Sequence, residues 1–107
     1  MTSTRITNLK HLIQNHDEGD FLVIDVRGTD EHAKINASNY IESLDSNNHI
    51  NIPLHLLNLE LGNLSKDKTL YLYCRSGGRS GMATELLQSH GYNAINLAGG
   101  VISLQMK

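Results

Sequence analysis

The sequence predicts an α/β fold in which a central, mostly parallel sheet is flanked by helices. Two continuous apolar runs, DFLVIDVR and KTLYLYC, have the composition of strands that are buried on both faces, as in parallel sheets. Segments with apolar residues at helical spacing alternate with these runs along the chain. Because the ligands of parallel sheets bind beyond the carboxyl ends of the strands, we expect the functional residues where these runs end.

The first predicted element is a helix, and the first strand follows it. Leu9, Leu12, Ile13 and His16 are spaced as one helical face, and Thr7 is the expected N-cap. The run DFLVIDVR is apolar without alternation until it ends in charge, which predicts a buried strand. The amino-terminal part of the chain is therefore expected to form a helix followed by a strand.

A second helix and a polar loop come next. In GTDEHAKI, Thr29 is the expected N-cap, and Asp30 and Glu31 suit the first turn, where acidic side chains complement the helix dipole. Residues 36–51 are polar and weakly patterned, so we predict a loop there. The short run INIP predicts a brief strand that Pro53 ends.

The middle of the chain predicts another helix and the second strand. Leu54, Leu57 and Leu61 lie at helical spacing in LHLLNLELG, with Gly62 as the expected stop. NLSKDK is the polar turn that precedes the strand KTLYLYC. The leucine stripe is expected to face the core.

The last third of the chain predicts helix, strand and a short helix. SGMATELLQSHG has a clear helical pattern that ends at Gly91. We expect its buried face to consist of Met82, Ala83, Leu86 and Leu87. NAINLAGG predicts a third strand that ends in two glycines, and VISLQMK predicts one or two helical turns.

Size and charge limit the possible functions. The chain has 107 residues, and we expect residues 1–107 to form a single domain. A net charge of -2 argues weakly against nucleic acid as a partner and gives no support for a membrane surface, so we expect neither as a partner. No apolar run approaches the roughly 20 residues of a membrane-spanning helix. The sole cysteine cannot form an internal disulfide, and MTSTRITNLK lacks the features of a secretory signal, so we expect a cytoplasmic protein.

The only cysteine, Cys74, stands where the second strand ends and the segment CRSGGRS begins. Gly77 and Gly78 allow the backbone to curl so that several N–H groups point at one place. The helix expected to start near Ser80 adds the positive end of its dipole. A lone cysteine at a strand end can also be a small buried apolar residue, but this surrounding sequence favours a reactive thiolate.

Two arginines, Arg75 and Arg79, add full positive charges to the same loop. A free cysteine has a pKa of about 8.5, and a helix terminus contributes only about 0.3–2 kcal/mol. Loop N–H groups and arginine charge together are expected to bring the pKa of Cys74 below 7. No histidine is close to Cys74 in the sequence, and none is needed to activate it.

Several of these segments together resemble a known family. FLVIDVR, NIPL, YLYCRSGGRS, LLQSHGY and NLAGGV, in this order between residues 21 and 101, look like a single-domain rhodanese-like sulfurtransferase. The resemblance implies a rhodanese-like three-layer domain with its parallel sheet between helices. It also implies that Cys74 takes a sulfane sulfur from a small anionic donor such as thiosulfate and passes it from a persulfide to cyanide or a thiol.

The resemblance also assigns roles to residues and partners. The residues expected to bind substrate follow the catalytic Cys74 in the loop: Arg75, Ser76, Gly77, Gly78, Arg79 and Ser80. Arg79 either contacts the donor or braces the loop against a carboxylate. Asp25 and Arg27 carry over as supporting residues, and Arg27 is expected to pair with Glu31. A protein is a further possible sulfur acceptor, and neither a cofactor nor a metal is implied.

The sequence differs from the family pattern in two places, and it fits that pattern at the last glycine pair. Residues 35–51 form a longer segment without the G-H-I-x-G-A pattern that commonly follows D-V-R. Leu104 stands about where a tryptophan commonly follows the last glycine pair. Gly99 and Gly100 are expected to permit close chain approach beside the active loop.

Other functions remain open at this point. Cysteine-dependent phosphatases place a longer loop between cysteine and arginine, whereas only residues 75–78 separate Cys74 from Arg79. A disulfide-cycling arsenate reductase needs a second thiol from elsewhere. A non-catalytic persulfide carrier is a further alternative.

The histidines do not indicate a metal site. None of the following pairs has the spacing of metal ligands on a helix, and we expect these side chains at the surface: His11 and His16, and His49 and His55.

Overall fold

The computed structural model describes residues 2–17 and 19–106 and contains a five-stranded parallel sheet. The strands are β1 Ser3–Arg5, β2 Phe21–Asp25, β3 His49–Asn51, β4 Thr69–Tyr73 and β5 Asn93–Ala98. Their order across the sheet is β1-β5-β4-β2-β3, and all four neighbouring pairs are parallel. The predicted α/β architecture is therefore confirmed.

Helices cover both faces of this sheet. The α-helices are α1 Leu9–Ile13, α2 Thr29–Lys34, α3 Leu57–Glu60, α4 Gly78–Ser89 and α5 Gly100–Gln105. Single 3-10 turns lie at Ile6–Asn8, Ala37–Asn39, Leu54–Leu56 and Leu61–Asn63. Within the described residues the longest helix, α4, has 12 residues, and none is long and apolar enough to cross a bilayer.

The core lies on the two faces of the central strands. In β4, Tyr71 and Tyr73 pack into one apolar cluster with α1 and α5, while Leu70 and Leu72 pack into the other with α4. Each fully buried leucine contributes about 1.5–3 kcal/mol relative to an exposed one. Because side chains alternate along a strand, Tyr73 and the next residue, Cys74, lie in different clusters.

The N-terminal segment differs most from its prediction. Residues Ser3–Arg5 pair with β5 as an edge strand. Their polar sequence, STR, does not predict a strand. Thr7 is not an N-cap, because it lies inside a 3-10 turn and α1 begins two residues later. His16 lies beyond the end of α1 and donates to, or accepts from, the Tyr71 hydroxyl at 2.7 Å.

The ends of three other elements also differ from prediction. Gly28, not Thr29, occupies the cap position before α2, and its N–H donates to the Glu31 carboxylate. Gly62 does not stop the leucine-rich helix, because it lies within a further 3-10 turn. Gly91 does follow the end of α4 with a positive φ of 86°, as its residue type predicts.

The buried face of α4 was predicted correctly only in part. Met82 is 65% exposed, whereas Ala83 and Leu87 are fully buried. The other buried residues of α4 are Gly81 and the polar Ser80 and Thr84, whose side chains are hydrogen-bonded. A purely apolar pattern therefore points slightly to the wrong side of this helix.

Candidate active site

The carboxyl ends of three neighbouring strands meet at one edge of the sheet. β4 lies between β2 and β5, and the three strands run parallel, so their ends are adjacent. Cys74 directly follows β4 and is 1% exposed. Backbone bonds from Val101 to the Cys74 carbonyl (2.9 Å) and from Ile102 to the Arg75 carbonyl (3.1 Å) tie α5 to the start of the loop.

Backbone N–H groups converge on the sulfur. The Gly77 N–H donates to Cys74 Sγ at 3.0 Å, and the Ser80 hydroxyl lies 3.4 Å from it. Burial raises the pKa of the Cys74 thiol, but hydrogen bonds from the Ser80 hydroxyl and from the N–H groups of Ser80, Gly77 and Ser76 outweigh it and lower the pKa. This is the direction that the sequence predicts for a reactive thiol.

Glycine allows the loop to take this shape. Gly77 has a φ of 118° and caps α4, which begins at Gly78, two residues before the expected Ser80. The expected close approach at the glycine pair is also present. A methyl group at Gly100 would lie 2.6 Å from the Cys74 carbonyl oxygen and nearer still to the backbone of Arg75. The loop and α5 can thus pack together only where a side chain is absent.

Ser80 faces inward from the loop. Its side chain is fully buried, and its hydroxyl also lies 2.6 Å from Asn96 Oδ1. Asn96 is buried on β5, on the same face as Ala94 and Cys74. Sequence reasoning missed Asn96, although a polar residue at an inward position of a buried strand is a signal that could have identified it.

The two loop arginines have different surroundings. Arg79 forms a two-pronged ion pair with Glu31, in which Nη1 lies 2.9 Å from Oε1 and Nη2 lies 3.1 Å from Oε2. Arg75 is exposed, and among the described residues no acidic side chain lies within ion-pair distance of it. Of the two contacts considered for Arg79, the structure contains the one with a carboxylate.

The ion pair also shifts the pKa values of both of its members. The hydrogen bond from Arg79, together with a bond from the Gly28 N–H, outweighs desolvation and lowers the pKa of Glu31 to about 2. The same bond is the main cause that raises the pKa of Arg79, and the Coulomb attraction of Cys74 and Asp25 adds to it. Sequence reasoning missed this pair, because 48 positions separate its members.

Arg27 pairs with Asp25 rather than with Glu31, so the expected Arg27–Glu31 pair is wrong. Arg27 Nε and Nη2 donate to the Asp25 carboxylate at 3.0 and 2.8 Å, and Nη2 also donates to the Ile35 carbonyl. Both side chains are buried. Burial opposes the charge on Arg27, but the hydrogen bonds and charge of Asp25 outweigh burial and raise its pKa.

Two histidines join this buried network. His32 Nδ1 lies 2.8 Å from Asp25 Oδ2, and His49 Nε2 lies 2.8 Å from the Tyr73 hydroxyl. The prediction of a surface position is wrong for His49, which is 8% exposed. Within residues 2–17 and 19–106, no three His, Cys, Asp or Glu side chains are placed to hold a metal ion together.

An open groove adjoins the loop on the side of the Arg79–Glu31 pair. It has a volume of about 450 Å³. Its walls combine that ion pair with the apolar side chains of Val26, Pro53 and Leu54. Val26 and Leu54 pack in the same apolar cluster as Cys74. The groove therefore lies next to side chains that bury the reactive residue.

The chain is similar to known proteins in both sequence and fold. The sequence model of the Rhodanese-like domain family matches residues 8–107. A sulfurtransferase of Allochromatium vinosum is 32% identical over 88 residues, which cover 81% of this chain and 74% of that protein. Thiosulfate sulfurtransferase PspE of Escherichia coli is 37% identical over 59 residues, covering 53% of this chain and 57% of that protein. The crystal structure of SSP1007 from Staphylococcus saprophyticus superposes with a TM-score of 0.78 at 28% identity, covering 97% of this chain and 93% of that one.

Proposed function

The chain belongs to the rhodanese-like family, and from that premise we propose that it transfers a sulfane sulfur through a persulfide on Cys74. The donor is a small anionic sulfur compound such as thiosulfate, and the acceptor is cyanide or a thiol. The observation that carries the proposal is the N–H of Gly77, which lies 3.0 Å from Sγ. A backbone donor in that place stabilises negative charge on sulfur before a substrate arrives.

The first half-reaction is an attack of the Cys74 thiolate on the outer sulfur of the donor. With thiosulfate, a new S–S bond forms at Cys74, the S–S bond of the donor breaks, and sulfite leaves with the bonding electron pair. The persulfide that remains carries one negative charge on its terminal sulfur. The loop N–H groups that favour the thiolate are suited to this charge as well.

The second half-reaction restores the enzyme. Cyanide or a thiolate attacks the terminal sulfur, the Cys74–sulfur bond breaks, and the electron pair returns to Sγ. Two successive displacements at one cysteine constitute ping-pong covalent catalysis. No external oxidant or reductant is consumed in the cycle.

Residues of the loop divide the remaining work. Arg75, Ser76 and Gly78 are exposed and are the groups that we assign to binding the donor. Ser80 and Gly77 contact Cys74 and support its charge. Asp25 and Arg27 support the neighbouring strand end through their buried ion pair. We assign Arg79 an electrostatic role in the loop, where its guanidinium forms an ion pair with Glu31.

Intact-mass analysis after incubation with thiosulfate tests the central step. We expect a gain of one sulfur atom, which is lost when cyanide is added. The Cys74→Ser variant should gain none, because its alkoxide is inaccessible at neutral pH. An unmodified Cys74 after incubation with thiosulfate, an organic persulfide and polysulfide would contradict the proposal.

A persulfide carrier is the alternative within the same chemistry. Its Cys74 would be loaded by a protein donor and would pass the sulfur to a protein acceptor. Steady-state turnover with free thiosulfate and cyanide distinguishes the two functions, because a carrier turns over slowly with small molecules. The near-complete burial of Cys74 favours small reactants.

Phosphoryl chemistry and disulfide-cycling reduction fit less well. The short loop of residues 75–78 between Cys74 and Arg79 makes a small cradle, suited to a sulfur atom. A thiol-based reductase needs a second thiol, which this chain does not contain. An aryl phosphate assay beside the thiosulfate assay compares the first of these directly. A single thiol that must stay reduced also fits the cytoplasm, which is the compartment we propose.

A further inference from the structure

One of the two positive charges of the reactive loop is already neutralised inside the chain. Both terminal nitrogens of Arg79 are bonded to the Glu31 carboxylate, one to each oxygen. An anion that approached Arg79 would meet a guanidinium whose positive charge this carboxylate already balances. Arg75 is therefore the cation that an incoming anion meets without a competitor among the described residues.

Glu31 is held in place by its own helix. It lies in the first turn of α2, and its Oε1 accepts a bond of 3.2 Å from the Gly28 N–H that precedes the helix. With a pKa of about 2, its carboxylate is charged throughout the neutral range. The negative charge beside the loop is thus a permanent feature of the fold.

The Arg79–Glu31 pair is also accessible to small molecules. Its side chains are 40% and 38% exposed and line the groove of about 450 Å³ beside Val26 and Pro53. Arg79 also lies near enough to Cys74 for their charges to interact. The charge balance of this pair therefore acts on anions that approach the sulfur.

We propose that Glu31 is a specificity-determining residue that limits the attraction of the Cys74 site for anionic donors by holding Arg79. The site then favours sulfur donors of low charge, such as small organic persulfides, over dianions such as thiosulfate. The substrate class rests on the sulfur transfer proposed above. The charge effect itself rests only on the reactive cysteine and the ion pair.

Alkylation of Cys74 measures this effect without sulfur transfer. Iodoacetate is an anion and iodoacetamide is neutral, so the ratio of their rates reports the electrostatic attraction at Sγ. Changes in the nucleophilicity of Cys74 affect both reagents and cancel in the ratio. We expect Glu31→Gln to raise the ratio roughly three- to tenfold at low ionic strength, and the gain to shrink in high salt.

Asp30→Asn is the matched control. Asp30 is exposed in the same first turn of α2, and the substitution changes the net charge equally, but Asp30 forms no ion pair with Arg79. Its ratio should change less than about twofold. Circular dichroism verifies the fold of each variant, and Glu31→Ala repeats the measurement if Glu31→Gln does not fold. Equal ratios in the Glu31 and Asp30 variants, or an unchanged ratio at Glu31, would overturn the inference.

Kinetics with sulfur donors then test the substrate class. Glu31→Gln should lower KM for the dianion thiosulfate more than KM for a small organic persulfide of lower charge, whose terminal sulfur passes to Cys74 as its thiolate leaves, while Asp30→Asn should change both alike. If neither the unsubstituted protein nor the Glu31→Gln variant forms a persulfide, the proposed function fails. The alkylation ratio still decides the role of Glu31 in that case. If persulfide forms but the two KM values move together, the selectivity is wrong and the sulfur transfer stands.

Discussion

The missing side chain at Gly100 sets the distance between α5 and the reactive loop. We expect Gly100→Ala to destabilise the protein by about 2–4 kcal/mol, because its methyl group would overlap the backbone of Cys74 and Arg75 and its φ of 61° disfavours a side chain. The free energy of unfolding in urea measures this loss. Gly62→Ala is the control, since a Cβ there meets nothing within 4 Å, and it should change stability by less than about 0.5 kcal/mol. A Gly100→Ala variant as stable as this control would contradict the packing argument.

Single residues also mark how far sequence reasoning reaches. Cys74, the curl at Gly77 and the close approach at Gly100 were predictable, because each depends on residue type and local spacing. Glu31 and Asn96 were not assigned their contacts, because each partner is distant in sequence and only the folded sheet brings it near. The chemistry of a local segment can thus be predicted from one sequence, whereas contacts between elements can be predicted only when the topology is known.

At the scale of elements, β3 contains a buried histidine that is neutral in the folded protein. His49 Nε2 lies 2.8 Å from the Tyr73 hydroxyl, whose oxygen also accepts a bond from the Ala37 N–H. Burial is the main cause that lowers the pKa of His49 to about 4, and the charge of His32 adds to it. A proton on His49 would place a charge in the core.

The burial of His49 predicts a loss of stability in mild acid. The unfolded chain binds a proton at His49 below about pH 6.5, whereas the folded chain resists until about pH 4, so stability falls as pH decreases between these values. The loss at His49 should reach up to about 3 kcal/mol. His49→Gln cannot titrate, so its unfolding free energy should depend less on pH over that range. Unfolding in urea at a series of pH values tests this, with the exposed His11→Gln as control; equal slopes in all three proteins would refute it.

Two elements show why boundaries were harder to predict than elements. β1 consists of Ser, Thr and Arg, and it is a strand only because the edge of β5 offers it hydrogen bonds. The inward stripe of α4 includes Ser80 and Thr84, which bond to neighbours and so replace apolar residues that a hydrophobic pattern requires. In both cases the tertiary partner outweighs the local pattern.

At the scale of the whole molecule, the buried Arg27–Asp25 pair joins separate parts of the chain. Arg27 links the end of β2 to the Ile35 carbonyl, and the Asn51 amide on β3 donates to the carbonyls of Asp25 and Arg27. Breaking a buried pair leaves an uncompensated charge, so Arg27→Ala should destabilise the protein by about 3–5 kcal/mol. Lys34→Ala removes an exposed cation and should change stability by less than about 1 kcal/mol. Thermal and urea unfolding compare them, and similar losses in both variants would show that the pair is not a structural centre.

The overall architecture was predictable, because fully apolar strands and helical spacing each have few explanations. The order of strands was not, since no local pattern states which strand lies beside which. The position of the site followed from chemistry at the strand ends, and the sheet then brought the three ends together.

The bonds from α5 to the carbonyls of Cys74 and Arg75 have a practical consequence for anyone who handles this protein. A purification tag, an immobilisation linker or a fused protein attached behind α5 would adjoin the helix that is hydrogen-bonded to the peptide groups next to the nucleophile. The same attachment ahead of β1 would adjoin an outer strand of the sheet. Recombinant forms intended for activity measurements should therefore be extended at the amino end.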